Sequence, residues 1–325
     1  GPGLKSRATF QEVRSRGLTI TFMKKRDGSR LRLVLITIGS VFFVLFVVIP
    51  VIFSFFDGSK LGNVALIPIE GEITGNGAQG FGSSGASSKD IVSFIEDAGE
   101  NPQIEVLLLE INSPGGSAVA SDEIATAVKR VQKPVVVYIR EAGASGAYWI
   151  ASAADHVIAN RMSITGSIGV LSSYLEFSGL MNDYNVTYQR LVAGENKDMG
   201  TPFKKLSEPE RKILQQKLDK IHDFFIEEVA ANRKLEAAQV RKIATGEFFL
   251  GVEALELGLV DQLGGKEEAE TFIRERYGLE DIDYVSYEHE IGFFELLGGV
   301  VSTFFFHVGE GIGSMLIDPQ FNVLM

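Results

Sequence analysis

The chain has 325 residues, 45% of them hydrophobic, with no cysteine and a formal net charge of −11. A disulfide-stapled miniature domain and a cysteine-based metal site are excluded, and the acidic balance argues against a nucleic-acid-binding protein. No His/Asp/Glu group has recognisable metal spacing, so neither a metal nor another cofactor is expected.

Charge is distributed unevenly. Residues 1–32 hold nine Lys/Arg and two acids, a net of +7, which leaves −18 on residues 33–325. Gly1-Pro2-Gly3 reads as an expression scar. Residues 33–56 carry no charge over 24 positions, and a bilayer span needs about 20 apolar residues. Pro50 falls late in this run and allows at most a kink. The basic arm places the N-terminus in the cytoplasm and the remainder outside, and it suits contact with anionic lipid. The expected organisation is a single-pass cell-membrane protein. A basic arm over 1–32 is followed by a transmembrane helix over 33–56, an extracytoplasmic α/β domain over 57–285 and an apolar or amphipathic tail over 286–325.

The outer domain opens with a strand over 64–74. A Gly/Ser-rich loop follows to Ser88, read as a linker or as a mobile flap. Val106-Leu107-Leu108-Leu109-Glu110-Ile111 is a buried strand. It leads through Asn112-Ser113-Pro114-Gly115-Gly116 into a helix from Ser117 to about Val131. Val135-Val136-Val137-Tyr138-Ile139 is another buried strand. Gly143-Ala144-Ser145-Gly146-Ala147 then begins a helix through Ala151. A strand is expected over 156–160 and another over 188–192, the latter followed by Gly194-Glu195-Asn196-Lys197-Asp198. Ser207-Glu208-Pro209-Glu210 is a capping-box pattern with an early proline. It starts a helix to about Lys234 whose apolar positions repeat with helical period. Alternating strands and helices predict βαβ units.

Ser145 is the most informative residue. Its hydroxyl sits where a strand passes into a helix, and the amides that follow are free donors at a helix start. That suits a nucleophile whose attack generates an oxyanion, with the amide of Gly146 as one donor and the paired glycines at 115–116 placed to give a second. The alternative is a small residue in a tight strand–helix contact.

The segments Asn112–Gly116, Gly143–Tyr148, Thr165-Gly166-Ser167-Ile168-Gly169, Lys197-Asp198 and Gly246–Gly251, in this order, resemble the signal peptide peptidase A family of serine proteases. The resemblance covers about Val64 to Tyr277. It implies a ClpP/crotonase-like repeated ββα spiral completed by C-terminal helices. It also implies Ser145 as nucleophile, Lys197 as general base, Gly116 and Gly146 as the oxyanion hole and Ser167 as the hydroxyl that orients the lysine. A homo-oligomer, an octameric ring with a central chamber, is implied as well, with hydrophobic peptides such as signal peptide remnants as substrates. In some members the serine and lysine of one site come from adjacent subunits.

A serine nucleophile needs a base. In the caseinolytic relatives a histidine follows the serine at about the spacing that Val170 has here, and valine cannot serve. His156, His222, His289 and His307 are read as surface or packing residues. Lysine ordinarily titrates near 10.4, so a lysine base requires desolvation. Other readings stay open: the stomatin-cleaving branch of the same clan, an acyl-CoA-binding crotonase-like protein, and a non-catalytic membrane scaffold. The tail past residue 290 is expected to lie on the membrane, between subunits, or in the protease groove.

Overall fold

The computed structural model describes residues 28–48, 62–77, 79–80 and 83–288. It divides into two units, residues 1–60 and 61–325. In the first, α1 (Gly28–Phe43) runs into a π-helical turn, Val44–Val48. No helix among the described residues is long and apolar enough to cross a membrane. The rest of the run expected to span a bilayer lies outside the described residues, as do nearly all of the basic arm and all but the first residues of the tail.

The second unit begins with β1 (Val64–Thr74), the small hairpin β2 (Gln79–Gly80) and β3 (Ser83–Ser84), and β4 (Ala86–Ser87). There follow α2 (Ser88–Glu100), β5 (Val106–Gly116), α3 (Ala118–Arg130), β6 (Val135–Ala144), α4 (Gly146–Ser152), β7 (His156–Ala159) and β8 (Ile164–Gly166). After α5 (Ser178–Asp183) comes the long α6 (Glu208–Arg233), then α7 (Ala237–Ile243), β9 (Phe248–Leu250), α8 (Gly251–Glu256), β10 (Gln262–Leu263), α9 (Lys266–Tyr277) and β11 (Tyr284–Ser286).

The sheet has the order β10-β7-β6-β5-β1-β11 and is parallel along this path. The fold is thus α/β, as expected. Parallel strands need both faces covered, which explains the unbroken apolar run in β5. Leu107, Leu109 and Ile111 enter one core together with Ile91 and Ile95 of α2 and Ile124 of α3. Val106 and Leu108 enter a second core with Ala269 and Ile273 of α9. Ser87 caps α2 by accepting from the Asp90 amide at 3.3 Å.

The central strands change neighbours at their carboxyl ends. β1 takes β4 beside Ile73 and Thr74. β6 takes β8, with Gly143 opposite Thr165 and Ala144 opposite Gly166. β8 in turn pairs antiparallel with β9. Both glycine-containing segments singled out in the sequence lie at this end of the sheet, where open α/β sheets gather their ligand sites.

One expected strand is absent. Residues 188–192 form no ladder, and Leu191 is 95% exposed. The alternation of apolar residues there has no neighbouring strand among the described residues to pair with, and pairing rather than pattern makes a strand.

A partly buried ion pair ties α6 to the sheet. Arg233, at the end of α6, is 7% exposed and grips Asp261 through two bonds of 2.6 and 3.0 Å. Asp261 also accepts from the Val157 amide of β7 at 2.8 Å. Burial alone would raise the Asp261 carboxyl; the Arg233 hydrogen bonds and charge outweigh it and hold the group below its ordinary value. Asp261→Ala should cost about 3 kcal/mol by stranding a buried guanidinium, while replacing both partners by apolar residues should recover most of that loss. Urea unfolding of the full chain and its two variants checks this.

Candidate active site

Ser145 forms the entire connection between β6 and α4. Its backbone sits at φ 53° and ψ −124°, a conformation that costs a residue with a Cβ about 1–3 kcal/mol. Two bonds hold it there. The Ser145 amide donates to the Gly166 carbonyl at 2.8 Å, and the Ser145 carbonyl accepts from the Trp149 amide at 3.0 Å. The β6–β8 pairing therefore clamps the turn from one side and α4 from the other.

The Gly115–Gly116 segment packs directly against this turn. A Cβ built on Gly116 would fall 2.0 Å from the Ile73 carbonyl oxygen. One built on Gly146 would fall 2.2 Å from Ser121 Oγ and 3.3 Å from the Gly116 amide nitrogen. A Cβ at Gly116 would collide with backbone and one at Gly146 would have to displace the Ser121 hydroxyl, so two stretches of bare backbone lie side by side next to Ser145. Gly146 is the first residue of α4, and its amide has no intrahelical acceptor.

Ser145, Gly116, Gly146 and Ser167 all line one cleft of about 1000 Å³. Its far wall comes from α6, through Leu218, Ile221, His222 and Phe225. Trp149 completes the floor, stacked on Phe225 with ring centroids 4.7 Å apart. Ser167 also has a positive φ, 51°, and its hydroxyl donates to the Gly246 carbonyl at 3.2 Å. Val170 lines the cleft too, an apolar residue where the caseinolytic pattern has its base.

Lys197 lies elsewhere. It is exposed, in a turn over 195–200, and is not among the residues lining the Ser145 cleft. Its neighbour Asp198 is engaged by Arg190 and Lys204. The structure thus brings together four of the five residues singled out in the sequence and sets the fifth apart.

His222 was read as a surface or packing residue, and its place in the cleft is new. Its Nε2 and the Trp149 Nε1 are buried with no hydrogen-bond partner among the described residues. Helical period puts His222 on the apolar side of α6 with Leu218 and Phe225; nothing in the sequence says that this stripe faces a cleft.

Residues 127–280 match the peptidase family S49 pattern, a span that holds Ser145, Gly146, Ser167 and Lys197. The chain is 32% identical to a candidate protease of Methanocaldococcus jannaschii over 272 residues, 82% of this chain and 85% of that protein. It is 31% identical to a candidate signal peptide peptidase SppA of Enterococcus faecium over 238 residues, 72% of this chain and 69% of that one. Protease 4 of Haemophilus influenzae is 33% identical over 209 residues, 63% of this chain but 33% of its own length.

The chain belongs to peptidase family S49. It is of the signal peptide peptidase A type, and within that family the Ser145 cleft is the candidate active site. Strain at Ser145 gives a direct test. Ser145→Gly removes the Cβ from the unfavourable conformation, a gain that should exceed the added flexibility of the unfolded chain by about 1 kcal/mol. The expected result is a melting temperature raised by about 2–4 °C in calorimetry. Gly116→Ala should do the opposite, because its Cβ meets backbone rather than a movable side chain.

Proposed function

We propose that this S49 peptidase is a membrane-anchored serine endopeptidase that cleaves hydrophobic peptides, signal peptide remnants among them, with a Ser145–Lys197 dyad. One observation carries the reading: Ser145 stands in a strained strand-to-helix turn beside the closely packed Gly116 and Gly146 backbones, in a cleft walled by Leu218, Ile221 and Phe225. In this mechanism the Ser145 hydroxyl attacks the scissile carbonyl while Lys197 takes its proton. The amides of Gly116 and Gly146 donate to the oxyanion. The same lysine returns the proton to the leaving amine, and water then releases the acyl group by the reverse steps. Ser167, in the cleft with Ser145, is the hydroxyl proposed to orient the incoming ammonium.

The lysine is proposed to come from an adjacent copy. The 195–200 turn is braced at the start of α6, near Glu210, whereas the cleft wall begins at Leu218, two turns further on. Eight residues of helix span about 12 Å, and Lys197 is outside its own cleft. An assembly is further supported by large apolar side chains left open along residues 171–203, including Leu171 at 84% exposure and Tyr184 at 74%. A ring would bury them, seat Lys197 beside the serine of the next copy and remove it from water. The uncharged run over 33–56 and the basic arm before it support the membrane anchor with the domain outside.

The test is fluorophosphonate labelling of the detergent-solubilised full chain, with the modified residue mapped by mass spectrometry. Label is expected on Ser145, rising from neutral to alkaline pH as the base loses its proton. Lys197→Ala should lower the rate by at least a hundredfold. A flat pH profile, or label on Ser145 undiminished by Lys197→Ala, would overturn the dyad.

A further inference from the structure

The 188–207 stretch lacks helix, strand and apolar core, yet its Asp198 is nearly buried, as is Glu210 in the first turn of α6. Asp198 and Glu210 are each 9% exposed in their side chains. Arg190 reaches Asp198 with a two-pronged contact, Nε to Oδ2 at 2.7 Å and Nη2 to Oδ1 at 3.0 Å. Its Nη2 also donates to the Glu195 carbonyl at 2.9 Å. Lys204 then bridges the two acids, with Nζ 3.1 Å from Asp198 Oδ1 and 2.7 Å from Glu210 Oε1. Glu210 Oε2 accepts from the Ser207 amide at 3.0 Å and the Ser207 hydroxyl at 2.7 Å, which closes the capping box of α6.

The residues enclosed by this chain of contacts are 194–200, the turn that carries Lys197. The backbone bonds of the turn are local ones, from the Lys197 amide to Gly194, from the Met199 amide to Asn196 and from the Thr201 amide to Asp198. A two-pronged guanidinium–carboxylate contact fixes direction as well as distance. Asp198 has both oxygens occupied, so the carboxylate adjacent to Lys197 in sequence is turned to other cations.

We propose that Arg190, Asp198, Lys204 and Glu210 are positioning residues that fasten the Lys197 turn to the start of α6 and keep Asp198 from pairing with the lysine. The inference rests on the dyad reading above. Hydrogen bonds from Arg190 and then Lys204 hold the Asp198 carboxyl well below the usual carboxylate range. Lys204, followed by the Ser207 cap, brings Glu210 down to about 2. Both acids thus stay ionised at the alkaline pH where a lysine base is active. Because α6 also walls this chain's own Ser145 cleft, the brace ties the lysine offered to the next copy to the same helix that shapes the cleft of its own chain. The lysine's reach is then set by helix geometry rather than by a loose loop.

The experiment measures the Ser145 labelling rate at one alkaline pH in the full solubilised chain. The variants are Lys197→Ala, Asp198→Asn, Glu210→Gln and the double variant Lys197→Ala/Asp198→Asn. Asp198→Asn and Glu210→Gln should each slow labelling by about tenfold or more. The double variant should be no slower than Lys197→Ala alone, because a positioning residue has nothing left to position; groups acting as a unit are non-additive in this way. Arg190→Lys, which keeps the charge but loses the second prong, guards against a fold defect and should fall between wild type and Asp198→Asn. Asp198→Asn labelling at the wild-type rate, or multiplying the loss of Lys197→Ala, would overturn the proposal while sparing the dyad. Undiminished labelling in Lys197→Ala would overturn both.

Discussion

Everything at the site depends on holding one serine in a backbone conformation that serine disfavours. Ser145 is trapped between the end of β6 and the start of α4, and the bond from its amide to the Gly166 carbonyl fixes it in place. That bond exists because β6 exchanges its neighbour β7 for β8 near its carboxyl end. The close approach of Gly116 to Ile73 depends on the same behaviour in β1 and β5, whose pairing resumes beyond a register shift between Glu70 and Glu72. Sheet irregularities here are what aim backbone and hydroxyl into one cleft. The buried strands behind them supply the rigidity to sustain the strain.

A second constraint is the division of labour along α6. Its first turn holds the capping box and the Lys204–Glu210 contact, its middle forms the cleft wall, and its last turn is locked to the sheet through Arg233 and Asp261. A helix of 26 residues is about 39 Å long. It therefore ties the core of the domain to a segment that has almost no core of its own. Without such a strut, residues 171–203 would be joined to the domain chiefly by their own backbone.

Much of this was legible in the sequence, for physical reasons that differ from case to case. β1 matches its expected bounds because its apolar residues Val64 to Ile69 are bounded by the polar Asn63, and its far end runs into the Gly/Ser-rich loop. The start of α6 matches because a capping box is a local chemical signal, and Ser207 and Glu210 make both of its bonds. The Ser145 turn was visible as small residues between an apolar run and a helix. The strand expected over 188–192 failed because alternation says nothing of whether a partner strand exists. Gly115 and Gly116 are expected to link strand to helix, whereas β5 extends through them by pairing with β1. The Arg190–Asp198–Lys204–Glu210 chain was invisible, since charges six to eight residues apart that share no regular element carry no mark of being paired. His222 illustrates the same limit: period places it on a face, and only the fold says what that face meets.

The separation of Lys197 from the cleft follows from the same economy of burial. A lysine kept next to Ser145 within one chain would need a desolvated pocket built from that chain's own core, at a cost in stability whenever the chain is alone. Here the single chain leaves Lys197 in water and also exposes Leu171, Tyr184 and Leu191. Desolvation of the lysine and burial of those apolar side chains would then be one event, with hydrophobic gain offsetting the loss of ammonium hydration. Under the proposed shared dyad, coupling the two would make the base available only where copies meet and leave a lone chain without it.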